Sequence, residues 1–168
     1  MKKLAALKSI THFVFLLSCV FVALTPAILI MHFASPESMP EEFKVNGLEE
    51  LNAKSIAGCL FLFIGMCLYL YALYLFRKIL DLFSKRKIFN DDVVVNLDKV
   101  GKSIIAGTLV LIVPPYLYNL IVNQTFGLEL ELTLDEPLFI LGLGLFFMVL
   151  SEVFKMAKDI KEENDLTV

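Results

Sequence analysis

RKILDLFSKRKIFNDDVVVNLDKVGKS, residues Arg77 to Ser103, lies between two long apolar runs and decides how the chain is read. It carries seven of the fifteen basic residues: Arg77, Lys78, Lys85, Arg86, Lys87, Lys99 and Lys102. Bases gathered in a short loop between two membrane spans hold that loop on the cytoplasmic side of a bilayer. Ile79, Leu80 and Phe83 carry the preceding apolar helix onward as an amphipathic extension. Ser84-Lys85-Arg86-Lys87 has the composition of a turn. Asn90 or Asp91 can cap a new helix, with acids in its first turn where the helix dipole favours them. Val93, Leu97, Val100 and Ile104 then recur at i, i+4, i+7 and i+11, one apolar stripe leading into the next span. The expected form is a cytoplasmic helical hairpin made by two membrane helices that project inward.

Outward from this stretch, the 168-residue chain is 58% hydrophobic with a mean hydropathy of +0.76. Soluble domains carry roughly 45–50% apolar residues. Here the excess is gathered into blocks, at about 10–31, 56–76, 104–122 and 138–154. Each approaches the ~20 residues needed to cross a hydrocarbon core. The first block follows Lys2, Lys3 and Lys8 as a signal peptide would. It is longer than the roughly 7–15 residues of a cleavable apolar core and no small-residue cleavage site follows, so it reads as an uncleaved anchor. Pro26 is expected to kink the first span, and Pro114-Pro115 to interrupt the third, with Tyr116 and Asn119 placed to satisfy freed carbonyls. His12 and His32, near the ends of the first block, read as interfacial side chains. Tyr69, Tyr71 and Tyr74 crowd the half of the second block nearest the basic loop, as interfacial aromatics do. Cys19, Cys59 and Cys67 lie inside apolar blocks without CxxC spacing, and read as buried small hydrophobes.

The remaining loops carry the opposite charge. Residues 33–55 hold five acids and two bases, and 123–137 hold no base at all. In the latter, Leu128, Leu130, Leu132 and Leu134 alternate with Glu129, Glu131 and Thr133, the period of a half-buried strand. Thirteen of the fifteen bases fall on the side shared by both ends of the chain and the middle loop. The expected fold class is therefore an all-α integral membrane protein of one domain. It has four transmembrane helices, both termini cytoplasmic, and a small extracytoplasmic strand or hairpin.

No Asp, Glu, Lys, Arg or His side chain lies near the middle of any block; Glu152 and the two histidines sit at edges. Ionisable groups at mid-bilayer are costly and mark proton relays or substrate paths, so their absence points away from a proton-coupled carrier. There is no HExxH and no phosphate-binding glycine loop. The expectation is a protein that is not an enzyme and needs no cofactor or metal. Its bases can anchor to anionic headgroups at about 1 kcal/mol each. They can equally meet a partner, and the candidate docking residues are Lys85, Arg86, Lys87, Asp91 and Asp92, with Glu162, Glu163, Asn164 and Asp165 of the tail.

Three places carry a family resemblance: the order basic turn, Phe89, Asp91-Asp92, Leu97, Val100, Gly101; the leucine–glutamate alternation at 129–134; and the ending Glu162-Glu163-Asn164-Asp165-Leu166-Thr167-Val168. Together they resemble the bacterial four-span membrane proteins of domain-of-unknown-function family 2975. Genes of that family often neighbour one for a small Cro/CI-type helix-turn-helix regulator. The resemblance thus implies a multi-pass protein of the bacterial cytoplasmic membrane that binds or sequesters such a regulator, without itself touching nucleic acid. A small permease or a peptide-immunity protein is the alternative. A homo-oligomer is open, through the glycine faces of spans two and four.

Overall fold

The computed structural model describes residues 2–34, 52–122 and 135–166, and every element among them is helical. These are α1 (Lys2–Ala34), α2 (Ala53–Ser84), α3 (Asp91–Val122) and α4 (Asp135–Leu166). All four are long and apolar enough to cross a membrane, which makes the chain a multi-pass membrane protein. The strand expected from the alternation at Leu128–Leu134 lies outside the described residues; of the loop 123–137 only the end, from Asp135, is seen, as the start of α4. The first acidic loop is likewise outside them except at its two ends.

A helix of 32 residues is about 48 Å long, against a hydrocarbon core of about 30 Å. Each helix therefore overruns its apolar block. α3 packs between α2 and α4, and α1 lies along α2. The start of α1, the α2–α3 turn and the end of α4 share one end of the bundle. Lys8 Nζ stands 2.6 Å from Asp81, Ser151 Oγ donates to the Val94 carbonyl at 2.8 Å, and Lys158 Nζ stands 2.7 Å from Asp91.

The best-buried cluster lies toward that basic end. Ala72, Leu75 and Ile79 of α2 meet Val93, Leu97, Val100 and Ile104 of α3. The stripe expected on α3 is thus the inner face of the hairpin. Phe83 stacks on Phe154 of α4 at 5.7 Å, and Phe76 meets Phe147 edge-on at 5.8 Å. By contrast, none of α1's most apolar window is buried, against 33% of α3's. The physical reason is solvent: acyl chains cover apolar side chains within a bilayer as well as protein does, so only beyond it does water drive a dense core together.

Several expectations change at the level of single residues. Pro114 and Pro115 do not interrupt α3, which runs unbroken to Val122. In a medium without water the neighbouring carbonyls gain nothing by leaving the helix, so the ladder loses only the bonds that proline cannot make. Tyr116 is half exposed. The cysteines are not buried: Cys19 and Cys59 are half-buried and Cys67 exposed, because lipid supplies the apolar surroundings that a core would. His32 is buried, edge-on to Phe33 at 5.3 Å, rather than reaching outward. Tyr69 turns into the bundle, its hydroxyl 2.8 Å from Thr108 Oγ1. Gly65 of span two and Gly144 of span four are used within the chain. A Cβ on Gly101 would stand 2.5 Å from the Gly144 carbonyl oxygen, and one on Gly65 2.7 Å from the Leu111 side chain. Gly142 alone of the fourth-span pair faces open space.

Candidate functional site

The α2–α3 turn is fixed by backbone chemistry. Lys87 N–H donates to the Leu82 carbonyl and Arg86 N–H to the Phe83 carbonyl, each at 3.0 Å. These are the two bonds of a Schellman motif, which ties off the open carbonyls at a helix C-terminus. The motif needs a left-handed residue after the cap, usually glycine. Here Arg86 takes it, with φ 58°. Lys85, Arg86 and Lys87 are all exposed and form no ion pair among the described residues.

α3 begins as the sequence suggested. Asn90 Oδ1 accepts from Asp92 N–H at 2.9 Å, and the Asn90 carbonyl accepts from Val93 N–H at 2.9 Å. Asp91 and Asp92 occupy the first turn, exposed. Asp91 does not stand alone, because α4 reaches down to it. Lys158 lies between Asp91 at 2.7 Å and Glu162 at 3.3 Å, and only 18% of its side chain is exposed. Its hydrogen bond to Asp91, helped by Glu162, raises the ammonium above its ordinary pKa. Lys161 sits over the Phe89 ring at 5.6 Å. The tail and the hairpin are therefore joined into one surface. It bears a basic turn on one part and the acids Glu162, Glu163 and Asp165 on another, all exposed. Asn164 completes the last turn beside them.

Of the nine residues expected to form a docking surface, the structure brings Asp91 and Glu162 together through a shared lysine, and sets the others around the same end. Lys158, Lys161 and the stabilising contact of Ser151 with α3 were not foreseen. The i,i+4 pairing of Lys158 with Glu162 is visible in sequence; its partner Asp91, 67 positions away, is not.

Two recesses lie elsewhere. A notch of 360 Å³ between α1 and α2 is lined by Lys8, Ser9, His12, Arg77 and Asp81. The Asp81 carboxyl is held below its ordinary range, chiefly by the hydrogen bond from Lys8, with Arg77 and Lys85 adding to it. A larger crevice of 620 Å³ opens among all four helices at the depth of Ser18, Tyr69, Ile104 and Phe147, and no charged side chain lines it. Among the described residues no three His, Cys, Asp or Glu side chains are grouped to hold a metal.

A family model described as "Protein of unknown function (DUF2975)" matches residues 9–168. No curated protein and no solved structure matches the chain.

Proposed function

The chain belongs to the DUF2975 family, and from that premise we propose that it is a non-enzymatic membrane protein whose basic end docks a small soluble regulator of the helix-turn-helix kind. The observation that carries the reading is the joining of tail to hairpin through Lys158, Asp91 and Glu162. A lipid anchor needs basic side chains near headgroups and nothing more. Here α2, α3 and α4 project beyond their apolar blocks and condense on a buried core, presenting one shaped surface of both signs. The positive-inside rule puts this end, with both termini, in the cytoplasm, where a transcription regulator is found. Holding the regulator there keeps it from DNA until the membrane protein releases it.

The test is crosslinking in native membranes followed by capture of three forms: the full chain, one lacking residues Asn164–Val168, and one carrying Lys85→Glu, Arg86→Glu and Lys87→Glu. Insertion and orientation are scored by protease protection in each. The expected result is a helix-turn-helix protein captured by the full chain and lost with both variants at unchanged insertion. Capture of no such protein by the full chain sinks the reading. The permease alternative draws on the 620 Å³ crevice. Its support would be ligand-dependent flux in proteoliposomes by protein that recruits no soluble partner.

A further inference from the structure

α4 has two opposite faces. One turns Gly144, Ser151 and Phe154 toward α3 and the core. The other carries Gly142, Leu145, Val149, Val153, Met156 and Ile160, and none of the described residues covers it. Leu145, Val149, Val153, Met156 and Ile160 are 56%, 62%, 47%, 56% and 59% exposed, and a Cβ on Gly142 would meet nothing within 4 Å. The stripe is regular. Gly142 and Val153, Leu145 and Met156, and Val149 and Ile160 are each eleven residues apart. An 11-residue repeat corresponds to ~3.67 residues per turn, so the stripe runs nearly parallel to a straight helix axis for about 27 Å.

This stripe crosses the membrane boundary. The apolar block ends near Phe154, so Gly142, Leu145 and Val149 face acyl chains. Ile160 lies level with the α2–α3 turn, as its neighbours' contacts with Asp91 and Phe89 fix, and faces water. Lipid can cover the first half but not the second, and a soluble partner the second but not the first. Only a helix that crosses the bilayer in the same direction, and projects as far, covers both. α4 of a second copy meets those conditions, because insertion gives every copy one orientation.

We propose that the chain forms a parallel homodimer across this face of α4. The helices cross at a shallow angle of right-handed sense, the hand that an 11-residue repeat imposes. Gly142 permits close approach inside the membrane, where association rests on packing. Met156 and Ile160 leave water, or the headgroup layer, for each other. The dimer does not depend on which soluble protein the basic end recruits.

Single cysteines placed in the full-length chain, with Cys19, Cys59 and Cys67 changed to Ala, test it by oxidative crosslinking in native membranes. Val153→Cys, Met156→Cys and Ile160→Cys are expected to give a product of twice the chain's mass, while Lys155→Cys and Glu162→Cys, on another face, give little. Equal yields on both faces, no product at the stripe, or a product of another mass would overturn the proposal. In lipid nanodiscs, native mass spectrometry is expected to find two copies of the full-length chain. Met156→Glu with Ile160→Glu, outside the hydrocarbon and so compatible with insertion, is expected to abolish the pair. A single copy in the unaltered protein, or a pair that survives both substitutions, would also overturn it.

Discussion

Arg86 occupies a backbone conformation that a side chain resists. With φ 58° it stands where the Schellman turn favours glycine, at a cost of roughly 1–2 kcal/mol. Arg86→Gly should therefore raise the thermal midpoint by the equivalent of up to about 1 kcal/mol, offset by the looser unfolded chain that glycine brings. If the side chain serves recognition, the same variant recruits the regulator less well; a variant that gains stability and loses no partner removes Arg86 from the docking surface. Asp81 makes a second prediction. Its carboxyl is depressed by the Lys8 hydrogen bond and nearby cations, so the stability it adds is present above the ordinary carboxylate pKa of about 4 and is lost as pH falls through the depressed value. Because the pair is more than a third exposed, Asp81→Asn should cost no more than about 1 kcal/mol at neutral pH. It should also flatten the acid limb of stability below about pH 4. Identical slopes for the two proteins between pH 5 and pH 3 would show that Asp81 does not couple to folding.

At the level of elements, α3 crosses α4 in close contact at Gly101 and Gly144. Gly101→Val places carbon against the Gly144 carbonyl and the Met148 backbone, neither of which can swing away, and should cost on the order of 1–3 kcal/mol or more. Gly142→Ala meets nothing among the described residues, so folded yield in mild detergent should fall for the first variant and hold for the second. The sequence makes the helices legible because apolar blocks and a 3.6-residue stripe are local signals; Val93, Leu97, Val100 and Ile104 proved to be the hairpin's inner face. A cap at Asn90 or Asp91 was legible for the same reason, and Asn90 takes it. The continuity of α3 through Pro114 and Pro115 was not, since the rule that prolines break helices is learned in water and the bilayer removes the competitor. Nor could any local pattern show that Asp91 takes its partner from α4, because that pairing exists only once α4 has folded back beside α3.

Over the whole molecule, charge and structure agree on which segments share an end, and family membership covers nearly the entire chain. The uneven distribution of burial leads to a test of how the parts depend on one another. Leu97 is 2% exposed in the hairpin core. Leu97→Ala should cost about 2–5 kcal/mol there. Its effect should appear as faster hydrogen exchange at residues 75–100 and 150–160, with the number and orientation of the spans unchanged. Loss of insertion would mean that the hairpin is needed for the helices to enter the membrane at all.

That placement of the core also gives the protein an uneven response to cold. Apolar burial from water carries a large heat capacity and weakens on cooling, whereas helix contacts already surrounded by hydrocarbon lack that driving force. The cluster of Ile79, Val93, Leu97 and Val100 is thus the part that chilling loosens first. The turn and the tail hang from that cluster, so temperature reaches the surface they form while the spans above it stay as they were.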